Sequence, residues 1–124
     1  SLSQKIFRTG DAYLGNRNKS YPIEEVEKSA NGVLLQKASR LLRPYSGNRI
    51  LEYLKLRRIK REITKAARMG EVYHLWWHPH NFGSYPQQNL RQLEEILQHF
   101  KSCQKKYNFG SVSMGELTRI VNAK

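Results

Sequence analysis

Residues 71–83 read Glu-Val-Tyr-His-Leu-Trp-Trp-His-Pro-His-Asn-Phe-Gly, and the interpretation of the whole chain starts from them. The run 72–77 is β-branched and aromatic, which favours an extended backbone. Pro79 cannot donate to a strand ladder, and Gly83 suits a turn. The sequence therefore predicts a strand that ends at about His78 and continues into a turn.

The strand would alternate its side chains between two faces. One face would carry His74, Trp76 and His78, and the other Tyr73, Leu75 and Trp77. In α/β folds the functional groups usually lie at the carboxyl ends of the strands. We therefore predict that His78 transfers a proton and that His74 is a packed core residue. Trp76 could line a sugar pocket beside His78 or belong to the core, and the sequence leaves both readings open.

The three histidines of this stretch could in principle bind zinc, because imidazole is a common metal ligand. However, Pro79 interrupts the strand between His78 and His80, and no Asp or Cys lies nearby. Asp11 is the only aspartate of the chain. A complete metal site is therefore not predicted within these 124 residues.

A long helix is predicted before this strand, over residues 48–69, with Ser46 or Asn48 as N-cap and Gly70 as C-cap. Its apolar face would consist of Leu56, Ile59, Ile63, Ala66 and Ala67. Its basic face would consist of Arg57, Arg58, Arg61, Lys65 and Arg68 and would point to solvent or to a partner.

A second helix is predicted after the strand, over residues 86–107, with a capping box formed by Ser84 and Gln87. Its apolar stripe would consist of Leu90, Leu93, Ile96, Leu97, Phe100 and Cys103. His99 and Cys103 lie one turn apart, and a buried thiol is favoured there over a metal site. We also predict a last strand over 109–114 and a short helix over 115–121. The second half of the chain would then have the order helix, strand, helix, strand, helix, which is typical of parallel α/β folds.

The first third of the chain has weaker patterns. We expect a short helix over 4–14, a helical turn over 21–27 and a short strand over 33–36. Pro44 and the polar residues after it predict a loop over 43–48.

The composition fits one domain and adds a second functional hypothesis. The chain has 124 residues, 39% of them hydrophobic, and 22 Lys and Arg against 10 Asp and Glu give a net charge of +12. That charge predicts affinity for polyanions, so the basic face of helix 48–69 is an alternative nucleic-acid or polyanion interface. The single cysteine excludes an intramolecular disulfide framework. The sequence contains no long apolar run of the kind that predicts a membrane span.

The histidine stretch resembles the C-terminal end of a bacterial polysaccharide deacetylase domain, the superfamily of the chitin and peptidoglycan deacetylases. The resemblance rests on residues 74–83, continues through 89–97 and 113–117, and covers about 40–121. It implies an α/β fold that is the C-terminal portion of a distorted (β/α) barrel, helix-rich with a few parallel strands. Residues 33–121 would form its core, and residues 1–32 would be less ordered.

The resemblance also implies an activity, the hydrolysis of the amide of N-acetylated sugars in bacterial exopolysaccharide or envelope metabolism. A divalent, zinc-like metal would polarise the acetamide carbonyl, an aspartate would activate the attacking water, and a histidine would protonate the leaving amine. His78 would be that histidine, with His80 as second choice. Trp76, His80 and Asn81 would line the sugar pocket.

The chain departs from the family where the metal is bound. The family takes its metal ligands and its base from a Thr-Phe-Asp-Asp-Gly type motif and a His-Ser/Thr-x-x-His type motif, and neither occurs here. We therefore expect a C-terminal part of a larger deacetylase, inactive and without metal by itself, that is completed by the missing N-terminal part or by a second copy. Residues 43–45 resemble the family's Arg-Pro-Pro-Tyr motif without its second proline, and we interpret them as a loop.

Overall fold

The computed structural model describes residues 19–123, with every side chain in that range except those of Asn81 and Met114. Within this range the fold is mixed α/β and rich in helix, with a few short strands. The helices are α1 (Arg49–Met69), α2 (Pro86–Tyr107) and α3 (Met114–Asn122), and the strands are β1 (Glu27–Lys28), β2 (Leu34–Leu35), β3 (Arg40–Leu41) and β4 (Leu75–Trp76). Single turns of 3-10 helix cover Ile23–Glu25 and Pro79–Phe82. The helix predicted over 4–14 lies outside the described residues.

The long helix α1 forms as predicted and has well-defined ends. Asn48 is the N-cap, and its side-chain oxygen accepts hydrogen bonds from the backbone N–H groups of Ile50 and Leu51 at 3.0 and 3.1 Å. Gly70 ends the helix with φ 66°, a left-handed conformation that glycine adopts without steric conflict. These local signals confirm the predicted bounds to within one residue.

Helix α2 has the predicted bounds, but the predicted capping box is wrong. Its N-cap is Tyr85, whose side chain makes no capping hydrogen bond, instead of Ser84. Pro86 explains the difference, because proline lacks an N–H and has a φ suited to the first helical position. Asn108 ends the helix with φ 55°.

Strands β3 and β4 are parallel neighbours, with Arg40 opposite Leu75 and Leu41 opposite Trp76. They are connected by α1, so the run from β3 to β4 is a β-α-β unit, and α2 follows it and packs along α1. The predicted extended run 72–77 is only partly a strand, since Val72 forms an isolated antiparallel bridge with Tyr21 instead. The order helix, strand, helix was predicted correctly over residues 48–107, whereas β3, the parallel partner of β4, was not predicted.

Two local predictions are wrong. The helical turn expected over 21–27 shortens to the 3-10 turn Ile23–Glu25, after which β1 pairs antiparallel with β2. The strand expected over 109–114 does not form, because Phe109 packs edge-on against Phe100 at 5.8 Å and Ser113 caps α3. The last helix is present, and the strand predicted over 33–36 is confirmed in part by β2.

The core lies between α1, α2 and the parallel strands. Its buried residues are Leu42, Ile59, Ile63, Ala67, Ile96 and Cys103. The stripe predicted on α2 is only partly buried, since Leu90 and Leu97 are 59% and 52% exposed.

Candidate active site at the ends of the parallel strands

Two loops follow the parallel strands and define the candidate site. Residues 42–48 follow β3, and residues 77–85 follow β4; together we call them the rim. Because parallel strands end at the same edge of a sheet, both loops leave the sheet on one side. Ligand sites of open α/β sheets lie at this edge.

The predicted proton donor, His78, lies on the rim and is exposed. It follows β4 by two residues and is the N-cap of the 3-10 turn Pro79–Phe82, with an extended backbone. Its imidazole meets the indole of Trp76 edge to face, with ring centroids 5.0 Å apart and an interplanar angle of 89°. The prediction that Trp76 and His78 share a face is therefore confirmed.

His80 lies beside His78 in spite of Pro79. Their ring centroids are 5.3 Å apart, because the backbone turns into the 3-10 helix and returns the second imidazole toward the first. The rim thus exposes two imidazoles next to a half-buried indole. The predicted substrate residue Asn81 lies in the same turn, and its side chain is not among those described.

A second aromatic contact flanks the histidines. Trp77 is 36% exposed, and its ring lies nearly parallel to that of Phe82, with centroids 6.4 Å apart and an interplanar angle of 7°. Phe82 also packs against the buried core. This contact anchors the 3-10 turn and leaves one indole accessible at the rim.

The rim supplies proton-transfer groups but no set of metal ligands. Its two loops contain no Asp or Glu, and within residues 19–123 no group of three His, Cys, Asp or Glu side chains is placed to hold a metal ion. His74 is half-buried. Its backbone N–H donates to the Ser39 hydroxyl at 2.9 Å, and its backbone carbonyl accepts from the backbone N–H groups of Ser39 and Arg40. The described residues therefore do not fit the divalent metal that the resemblance implies.

A buried polar cluster lies directly beneath the rim. It consists of Glu52 and Lys55 of α1 and Asn89 and Gln92 of α2, all of which are 2–8% exposed. Glu52 accepts hydrogen bonds from Lys55 at 2.5 Å, Gln92 at 2.8 Å and the Ser46 hydroxyl at 2.9 Å. Burial lowers the pKa of Lys55, and its contact with Glu52 counteracts that shift. This cluster was not predictable from the sequence, because polar residues at helical positions are ordinarily interpreted as a solvated face.

The cluster makes direct contact with the rim backbone. The ammonium of Lys55 donates to the carbonyl of Arg43 at 2.9 Å, and the amide oxygen of Asn89 accepts from the backbone N–H of Tyr45 at 2.7 Å. The amide nitrogen of Asn89 donates to the carbonyl of Tyr85 at 2.8 Å. One asparagine therefore bonds to both rim loops.

A second ionic cluster lies farther along α1 and corrects the predicted basic face. Glu62 accepts two hydrogen bonds from Arg40, at 2.6 and 2.9 Å, and one from the Tyr73 hydroxyl at 2.7 Å. Burial and the Glu62 carboxylate raise the pKa of Tyr73. Arg58, predicted on the solvent face, is 2% exposed and lies 3.5 Å from Glu62. Arg58 lies one turn before Glu62 and is buried beside this carboxylate because Arg40 and Tyr73 pack against Glu62 from other segments.

The other four cations of that face are exposed, as predicted. They are Arg57, Arg61, Lys65 and Arg68. They provide positive charge along one exposed side of α1. The alternative polyanion interface is therefore a charged surface rather than a shaped site.

His99 and Cys103 meet between the two helices. The Nε2 atom of His99 lies 2.8 Å from the Thr64 hydroxyl and 3.6 Å from the Cys103 sulfur. Burial lowers the pKa of His99. Cys103 is 3% exposed, which confirms the predicted buried thiol.

Comparisons with protein-family models, with curated proteins and with solved structures each give no match for this chain. The functional argument therefore depends on the residues and geometry described above. Within the described part of the chain, no helix is both long and apolar enough to span a bilayer.

Proposed function

We propose that this chain is the C-terminal portion of a metal-dependent carbohydrate N-deacetylase that hydrolyses the amide of N-acetylated sugars in bacterial exopolysaccharide or envelope metabolism. The observation that carries the proposal is an exposed imidazole, His78, placed just after a parallel strand and edge-on to the indole of Trp76. The β-α-β unit followed by α2 is consistent with a segment of a distorted (β/α) barrel. The sequence of residues 74–83, which resembles the deacetylases, supplies the choice of reaction.

The chemistry assigned to this chain is protonation of the leaving group. In amide hydrolysis, water adds to the carbonyl carbon, the C–N bond breaks, and the nitrogen must take up a proton to leave as an amine. The imidazolium of His78 would donate that proton and would be reprotonated from solvent, to which it is exposed. Trp76 would hold the imidazole from one side and pack against the sugar ring.

The rest of the active site would come from outside the described residues. A bound divalent metal supplies electrophilic polarisation of the acyl oxygen in this type of hydrolysis. Its ligands and the carboxylate base would belong to the missing N-terminal part of the domain or to a second copy of the chain.

The test measures deacetylation of an N-acetylated oligosaccharide by the longest natural form of the protein. We expect His78→Ala to lower kcat by about 10²- to 10⁴-fold, the usual contribution of a general acid. His80→Ala should lower it less, and Gln87→Ala, an exposed change just outside the rim, should leave it unchanged. Equal kcat values for the wild type and His78→Ala would refute the role of His78.

Two further measurements test the division of the active site. A chelator should abolish turnover by the longest natural form, and the 124-residue chain alone should show none. Metal-dependent turnover by this chain alone would contradict the proposal that ligands and base come from elsewhere.

We prefer the deacetylase over polyanion binding because it accounts for the residues of the rim. Four exposed cations on α1 and a net charge of +12 explain non-specific affinity for a polyanion. They do not explain why imidazoles and indoles are gathered at the end of a parallel strand.

A further inference from the structure

We infer that Asn89 is a positioning residue that couples the two loops of the rim and so fixes the place of His78 relative to residues 43–46. The inference rests on the proposed function for its catalytic part. Its structural part, the coupling of the two loops, stands on the contacts of Asn89 alone.

The first step of the argument is the bonding of Asn89. Its side chain is 2% exposed and has one acceptor and two donor hydrogens. The acceptor binds the N–H of Tyr45, 44 residues away in the sequence. The donors reach the carbonyl of Tyr85 at 2.8 Å and that of Phe82 at 3.4 Å. Asn89 therefore links the loop after β3 to the loop after β4 in a single contact.

The second step is the support that surrounds this contact. Tyr45 and Tyr85 also meet through their rings, edge to face with centroids 5.2 Å apart. Lys55 binds the carbonyl of Arg43, and Glu52 binds the hydroxyl of Ser46. Residues on either side of Tyr45 are thus held from below by buried charged side chains.

The third step is the free energy of such an arrangement. Burial of Glu52 and Lys55 removes two charges from water, and well-packed apolar residues in their place are often as stabilising or more so. A structure that only needed stability would gain little from a polar cluster here. Hydrogen bonds depend on distance and angle, so this cluster favours one arrangement of the loops, although the buried Oε1 atom of Gln92 has no partner among the described residues. A catalytic rim requires such a fixed geometry because a misplacement of about 1 Å can lower the rate about 10²-fold.

The test replaces Asn89 by Leu in the longest natural form of the protein. The leucine side chain has a similar shape and cannot bond to either loop, while the backbone N–H of residue 89 still donates to the Tyr85 carbonyl at 3.0 Å. Amide hydrogen exchange of residues 43–46 and 82–85 reports the coupling without any assay of activity. We expect exchange at the Tyr45 amide to become at least about tenfold faster, because it loses its buried acceptor. We also expect kcat for deacetylation to fall about 10- to 100-fold with KM changed less than about threefold.

Two other variants separate positioning from loss of stability. Ile96→Val lowers stability from the same helix and leaves the hydrogen bonds of Asn89 in place, so it should leave kcat unchanged and speed exchange at Tyr45 less than Asn89→Leu does. Asn89→Asp keeps the side-chain acceptor for the Tyr45 amide and loses only the side-chain donors to Tyr85 and Phe82, so exchange at Tyr45 should stay slower than in Asn89→Leu.

The outcomes are distinct. Unchanged exchange in Asn89→Leu would overturn the coupling, whatever the activity. Faster exchange with unchanged kcat would show that Asn89 is only structural and would overturn its positioning role. If the wild-type protein does not deacetylate, the proposed function and with it the catalytic part of this inference fail, whereas the exchange measurement still decides whether Asn89 couples the loops.

Discussion

The interface between α1 and α2 has two parts that differ in chemistry. Near the rim it is built from Glu52, Lys55, Asn89 and Gln92, and their hydrogen bonds extend to the loop backbone. Farther from the rim it is built from apolar residues, among them Ile59, Ile63 and Ile96. Both parts are almost completely buried, so solvent exposure does not explain the difference.

The difference shows what each part stabilises. Apolar packing is non-directional and is nearly as favourable after a small shift, which suits the joining of two helices. Hydrogen bonds depend on distance and angle, which suits the fixing of loops whose side chains must meet a substrate. The predictions below test this assignment, from the largest expected effect to the smallest.

The largest effect should come from removal of one charge of the polar part. Glu52→Leu removes the carboxylate that pairs with the buried ammonium of Lys55. Of the two hydrogen bonds described for this ammonium, only the one to the Arg43 carbonyl remains. The free energy of unfolding should fall by about 3–5 kcal/mol, as for other broken buried ion pairs. The double variant Glu52→Leu with Lys55→Met should recover most of this loss, because both charges are gone. Urea titration measures both values, and a double variant as unstable as the single one would contradict the assignment.

A smaller effect is expected in the apolar part. Ile59 is fully buried, so Ile59→Val should lower the free energy of unfolding by about 0.5–1.5 kcal/mol. Amide exchange at Tyr45 should change less than in Asn89→Leu, since this amide is bonded to Asn89 and that hydrogen bond stays in place. The matched control is Ile50→Val, at a side chain that is 73% exposed, which should alter stability by less than about 0.5 kcal/mol. Selective loosening of the rim by Ile59→Val would remove the distinction between the two parts.

The smallest effect concerns His99, the titratable imidazole at the apolar part. Burial lowers its pKa in the folded protein, so near pH 6 and below the unfolded chain binds more protons than the folded one. Stability should therefore be lost as the pH falls below about 6.5, the ordinary pKa of histidine. His99→Gln should make this acid loss shallower. Thermal unfolding between pH 5 and 8, a range that brackets histidine titration, measures the difference. An identical slope in wild type and His99→Gln would refute the effect.

The helix bounds were predictable from the sequence because residues at the helix ends specify them. The caps Asn48 and Gly70, and Pro86 at the start of α2, act on their own neighbours in the chain, so the helix bounds follow from a few residues. The proximity of Trp76 and His78 follows from the two-residue period of an extended chain. The roles of His78, His80, Trp76 and Asn81 in deacetylation remain predictions.

The features that were mispredicted depend on contacts between distant residues. Phe109 belongs to a strand by its sequence and instead packs against Phe100. Arg58 belongs to a solvated face by its sequence. It is buried beside Glu62, because Arg40 and Tyr73 come from other segments to meet that carboxylate. No periodicity distinguishes such a charge from an exposed one.

The sequence by itself determined the two long helices, the extended segment between them and the histidines at its end, because propensity, capping and side-chain period are properties of neighbouring residues. Only the tertiary structure decided which polar side chains of the helices are buried beneath the rim. Asn89 reaches Tyr45 across 44 positions of sequence, and that contact exists only once α1, α2 and the two parallel strands have packed together.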